Sequence, residues 1–166
     1  MDKKIQHYAN DIKSNSLLMS IGKLISNAAT CDAIMFSVFV VISKCDIKIA
    51  QAIYYSNTSH NQKSKLIRRV LPFSGDYKKQ HKIIERIIMA TEKANNQRNQ
   101  LSHCLLRIID DEVVYQNPRN THQSISKITE KGLNKIIELS INAFIDCYQA
   151  SQELSEKWGV ELPIDQ

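Results

Sequence analysis

The residues best suited to chemistry stand together in one run, Gln97-Arg98-Asn99-Gln100-Leu101-Ser102-His103. On a helix Asn99 and His103, four apart, share a face. Arg98 sits about 100° round the axis, with a stem long enough to reach the same groove. His103 titrates near neutral pH beside a permanent cation. That pairing suits a phosphodiester. His103 can take a proton from a ribose 2′-hydroxyl or return one to the leaving oxygen. Arg98 can hold the phosphate with two parallel hydrogen bonds and stabilise the extra charge of the pentacoordinate transition state. Asn99 would orient the imidazole or the phosphate. This chemistry needs no metal and no cofactor, and the sequence offers neither a carboxylate cluster nor cysteine and histidine pairs at zinc spacing. A surface arginine beside a satisfied helix-terminal histidine is the plainer account of the same residues.

The elements that must position this run are helical. The 166 residues amount to a single domain, 1–166, with 43% hydrophobic and 23% charged residues, an ordinary globular composition. Four glycines and three prolines are too few for the many tight turns of a sandwich, a barrel or a disulfide scaffold. Leu17, Leu18, Ile21, Leu24, Ile25 and Ala28 form a stripe at helical spacing. It runs into Ala33, Phe36, Phe39 and Val40, which predicts one long helix, or two nearly collinear ones, from about 15 to 43. Asp46 can cap a following helix with Ile49, Ala50, Ile53 and Tyr54 on one face. The polar stretch 56–61 reads as a break. A basic helix with Leu66, Ile67, Val70 and Leu71 then ends at 72–75.

The segment from Tyr77 to about His103 carries Ile83, Ile84, Ile87 and Ile88, whose four-residue spacing describes a helix that brings the motif to its end. The runs LLRII and EVVYQ around Asp110 and Asp111 read as a small hairpin or extended arm. From Thr129 to just before Gly159, Leu133, Ile136, Ile137, Ser140, Ile141, Phe144, Ile145 and Tyr148 form the strongest stripe in the chain. The fold class is all-α: an up-and-down bundle of four to five helices with a β-hairpin or arm after the motif helix.

Lysine and arginine exceed aspartate and glutamate by 22 to 17. The excess concentrates at Lys63, Lys65, Arg68, Arg69, Lys78, Lys79 and Lys82, opposed within that span only by Asp76. Such a run is either a solvated helix face or a landing surface for a polyanion such as RNA. Within it, Lys65 is a candidate phosphate contact that projects toward the motif helix, or an ordinary surface lysine. Tyr54 and Tyr55 offer rings that stack on bases or pack as one core and one interface residue. Cys31, Cys45, Cys104 and Cys147 form no CxxC pair. With no signal-peptide pattern at the start, they read as reduced thiols of a cytoplasmic protein. The apolar run Ala33–Ile42 is half the length of a membrane span, so no membrane partner is expected; its surplus apolar surface favours an oligomer.

The segment RNQLSH resembles the Arg-x4–6-His motif, often Arg-Asn-x3-His, of the higher eukaryotes and prokaryotes nucleotide-binding (HEPN) superfamily. The likeness extends to the order of elements: a long apolar helix, the segment AIYYSNTSHNQKSKLIRRVL, the motif helix, a short extended piece and a final long helix. The resemblance implies that Arg98 and His103 are the catalytic pair of a metal-independent endoribonuclease and that Asn99 is its polar partner. It implies products with 2′,3′-cyclic phosphate and 5′-hydroxyl ends. It also implies a homodimer with the motifs facing across the interface, and a role as a toxin or phage-defence effector, with an antitoxin protein as a further partner. Other members are non-catalytic modules that bind nucleotides or partners, which is the alternative here. Some toxin members carry a tyrosine two residues after the histidine, and an antitoxin modifies it. Leu105 occupies that position in this chain.

Overall fold

The computed structural model describes residues 12–102, 105–109, 112–116, 130–159 and Leu162. Five helices carry this part of the chain: α1 (Ile12–Ser43), α2 (Ile47–Ser56), α3 (His60–Val70), α4 (His81–Ser102) and α5 (Glu130–Trp158). Short 3-10 turns at Leu71–Phe73 and Gly75–Gln80 link α3 to α4. Leu105–Ile109 and Glu112–Gln116 pair antiparallel, Leu105 opposite Gln116 and Ile109 opposite Glu112. The all-α class holds, because α1, α4 and α5 pack mutually and supply most of the core.

Local signals set most helix ends. The Asp46 side chain accepts from the Lys48 amide at 2.9 Å and so caps α2. Gly159, at φ +62°, stops α5 in the left-handed conformation that glycine adopts without penalty. Two boundaries differ from expectation. The stretch 56–61 is not all break. Ser59 caps α3 and shares a reciprocal capping box with Gln62, so the helix starts at His60. The motif helix begins at His81 rather than Tyr77. The preceding residues wind as 3-10, with Tyr77 edge-on to Trp158 at 4.9 Å and the Trp158 indole donating to Gln80 at 3.1 Å.

The faces differ as well. In α5 the buried row is Leu133, Ile136, Ser140, Ala143, Cys147, Ala150 and Leu154. Small residues at 140, 143, 147 and 150 let α5 approach α1 and α4 closely. This turns Ile141, Ile145 and Tyr148 of the expected stripe outward, each more than 40% exposed. In α2, Ala50 and Tyr54 are buried whereas Ile49 and Ile53 are exposed. The Ala33–Ile42 surface is not left over for a partner: Ile34, Met35, Val38, Phe39 and Ile42 all lie in the chain's own core.

The apolar stretch of α1 is longer than ten residues. Met19–Ser43 is long and apolar enough to cross a membrane by length and composition, and 44% of an 18-residue apolar window within it is buried inside the protein.

Arg86 fastens α4 to α5 through Asp146 (2.7 Å) and Glu153 (3.3 Å). Arg68 fastens α3 to α4 through Glu85, with Nε and Nη2 donating at 2.9 and 2.8 Å.

Candidate functional site

The motif occupies the end of α4, and the helix beneath it is held by burial on two sides. Ile84, Ile87, Ile88, Ala90 and Ala94 are buried. Towards the motif the buried face turns polar. Thr91 Oγ1 donates to the Ile87 carbonyl at 2.8 Å and also approaches the Cys31 carbonyl (3.3 Å) and Cys147 Sγ (3.7 Å). One turn further, Asn95 Nδ2 donates to the Thr91 carbonyl at 3.0 Å. Cys31 and Cys147 are both buried and free. Their contact and their burial push the Cys31 thiol up.

Arg98 and Asn99 follow on the next turn. Arg98 is half-buried and Asn99 exposed. The guanidinium folds back on its neighbour, with Nη2 and Nε donating to Asn99 Oδ1 at 2.9 and 3.3 Å. The amide thus fixes one edge of the fork and leaves Nη1 for another acceptor. His103 and Cys104 lie outside the described residues, and α4 is described as far as Ser102. Lys65 is exposed on α3. That helix meets α4 at Glu85, thirteen positions before Arg98, or about 20 Å along the helix axis. No described contact joins Lys65 to Arg98 or Asn99.

A second polar cluster, without a local sequence pattern, ties α1, α2 and α3 together. Lys63 Nζ lies 2.6 Å from Asp32 Oδ2, with the lysine side chain only 11% exposed. The Tyr54 hydroxyl donates to Asp32 Oδ1 at 3.1 Å. The ammonium also stands over the rings of Tyr54 and Tyr55, 4.7 and 4.9 Å from their centroids. Burial, with the Asp32 charge beside it, pushes the hydroxyls of Tyr54 and Tyr55 up. Tyr54 is fully buried, so it has no face to offer a base; Tyr55 is 46% exposed. Among the described residues no group of three histidine, cysteine, aspartate or glutamate side chains comes together.

His60 adjoins this cluster. Its Nε2 lies 3.0 Å from Ser64 Oγ, and its Nδ1 is buried without a partner. Burial lowers its pKa below the ordinary value; Asp32 and Glu92 pull it up, and Lys63 and Arg68 push it further down. With the folded pKa below the unfolded one, the unfolded chain holds the extra proton between the two values. Stability is then complete above about pH 6.5, the unfolded histidine value, and falls as pH drops through the lower folded value. Thermal melts across this window should show that loss in the wild type and a flatter profile in His60→Gln. Identical profiles would count against a titrating His60.

No protein-family model matches the chain, and neither a curated protein nor a solved structure matches it.

Proposed function

We propose that the chain is a metal-independent endoribonuclease of the HEPN type, built on an up-and-down helical bundle and acting in the cytoplasm as a homodimer. The observation that carries this reading is the guanidinium of Arg98, steered by Asn99 near the end of α4, with His103 five residues on in the sequence. Arg98 holds the phosphate and stabilises its added charge. His103 accepts the 2′-hydroxyl proton, the 2′-oxygen attacks phosphorus and the 5′-oxygen leaves with a returned proton. The products are a 2′,3′-cyclic phosphate and a 5′-hydroxyl.

The homodimer is supported by apolar surface that the fold leaves outside: Ile141, Ile145 and Tyr148 on α5. The antiparallel pair after the motif helix serves in this reading as an arm beside the catalytic end. A toxin or phage-defence role, with an antitoxin protein as partner, follows from the same reading.

The non-catalytic dimeric module stays in play for one reason. Arg98 and Asn99 already satisfy part of each other's hydrogen-bonding capacity, as a purely structural polar pair would. End-labelled RNA of mixed sequence, incubated with the protein in EDTA, separates the two. Fragments ending in cyclic phosphate support the ribonuclease. Intact RNA across several substrates supports the module.

A further inference from the structure

Phe73 is the most exposed large hydrophobic residue among those described, at 87%, and its exposure is built in. Leu71 and Ser74, on either side of Pro72 and Phe73, are buried at 2% and 1% exposure. Ser74 donates to the Leu71 carbonyl with both its hydroxyl (2.7 Å) and its amide (3.1 Å). Pro72 fixes its own φ at the start of the turn. The ring is therefore held out on a rigid, anchored loop.

The charge around this loop is not neutralised. Of the seven cations between 63 and 82, three are engaged: Lys63 with Asp32, Arg68 with Glu85 and Lys79 with Asp76. Lys65, Arg69, Lys78 and Lys82 are exposed and make no ion pair among the described residues. Asp76 and Glu85 are already taken by Lys79 and Arg68.

We propose that the Leu71–Phe73 turn is a docking point for single-stranded RNA. One unstacked base lies on the Phe73 ring, while Arg69, Lys78 and Lys82 hold the adjoining phosphates and Lys65 extends the track along α3. An aromatic face combined with a cationic groove is the usual chemistry for holding single strands. A membrane surface fits less well, because it needs a broad apolar face and this loop exposes one large apolar side chain. The choice of RNA as ligand rests on the ribonuclease reading. His81 and Arg98 are separated by about 25 Å along α4, so a strand reaching both places spans several nucleotides. Phe73 thus contributes binding remote from the scissile bond, which alters KM and leaves kcat in place.

The test is fluorescence anisotropy with a short labelled 2′-O-methyl oligouridylate, which lacks the nucleophile and reads binding apart from cleavage. Phe73→Ala should bind about tenfold more weakly, and Phe73→Trp should retain affinity. Lys78→Gln and Lys82→Gln should each lower the salt dependence by about one phosphate contact. Fluorescence of the sole tryptophan, Trp158, which packs on Tyr77, reports that the loop stays folded in Phe73→Ala. Equal binding by Phe73→Ala and wild type overturns the proposal. So does equal binding of an RNA duplex, or a Phe73-dependent affinity for phosphatidylserine vesicles without one for RNA. Phe73-dependent binding by a protein that never cleaves RNA would leave this inference standing and remove the ribonuclease reading. Cleavage with an unchanged KM in Phe73→Ala would do the reverse.

Discussion

Alanine at position 103 is expected to lower RNA cleavage by about 10²- to 10⁴-fold, the range a positioned acid or base supplies, with helix content and dimerisation unchanged. In the proposed ribonuclease the imidazole is the group of the motif that both accepts and returns a proton. Arg98→Ala removes a charge-stabilising donor instead, at an expected cost of about 10²- to 10³-fold. Arg98→Lys should fall between, because the charge survives and the two-pronged geometry is lost. Asn99→Ala should cost less than either, since it frees the fork without removing it. Single-turnover cleavage of end-labelled RNA in EDTA gives these ratios directly. Undiminished cleavage by a clean His103→Ala preparation overturns the assignment. An inactive wild type, together with an Arg98→Ala variant that melts earlier or dissociates, would instead make the motif a structural element of a silent dimer.

Helix class was legible because isoleucine pairs four apart state a period that outweighs the strand preference of β-branched residues. Asp46 and Gly159 marked their helix ends for reasons carried by single residues. The rotation of α5 was not legible. The large residues Ile141, Ile145 and Tyr148 form a convincing stripe, yet the small residues Ser140, Ala143, Cys147 and Ala150 decide which side comes close to α1 and α4. Ser59 and Gln62 carried a capping signal that a reading of 56–61 as polar loop passed over.

At the candidate site, spacing placed Asn99 with His103. The structure joins Arg98 with Asn99, neighbours that point about 100° apart on a helix, because the arginine stem folds back. Phe73 lay in a segment read only as a helix terminator. Its exposure became visible when Leu71 and Ser74 proved to be anchored.

The Asp32–Lys63 pair could not be read locally either, its partners standing 31 positions apart, and it carries the largest stability prediction. Lys63→Met leaves the Asp32 carboxylate largely buried, with the Tyr54 hydroxyl as its remaining side-chain donor. Asp32→Ala leaves an ammonium almost enclosed between two tyrosine rings. Each single change is expected to cost about 3 kcal/mol, the cost of stranding a buried charge, against a total of about 5–15 kcal/mol for a domain of this kind. The pair itself contributes less than that figure, because forming it removes both charges from water. The double variant Asp32→Ala/Lys63→Met should therefore be more stable than the sum of the singles allows, by about 1–3 kcal/mol of coupling. Urea unfolding of the four proteins measures this through the midpoints, provided the slopes agree. Single variants that each lose under about 1 kcal/mol would place the pair with ordinary surface ion pairs, and the α1–α2 junction would then rest on the packing of Phe36, Phe39 and Tyr54.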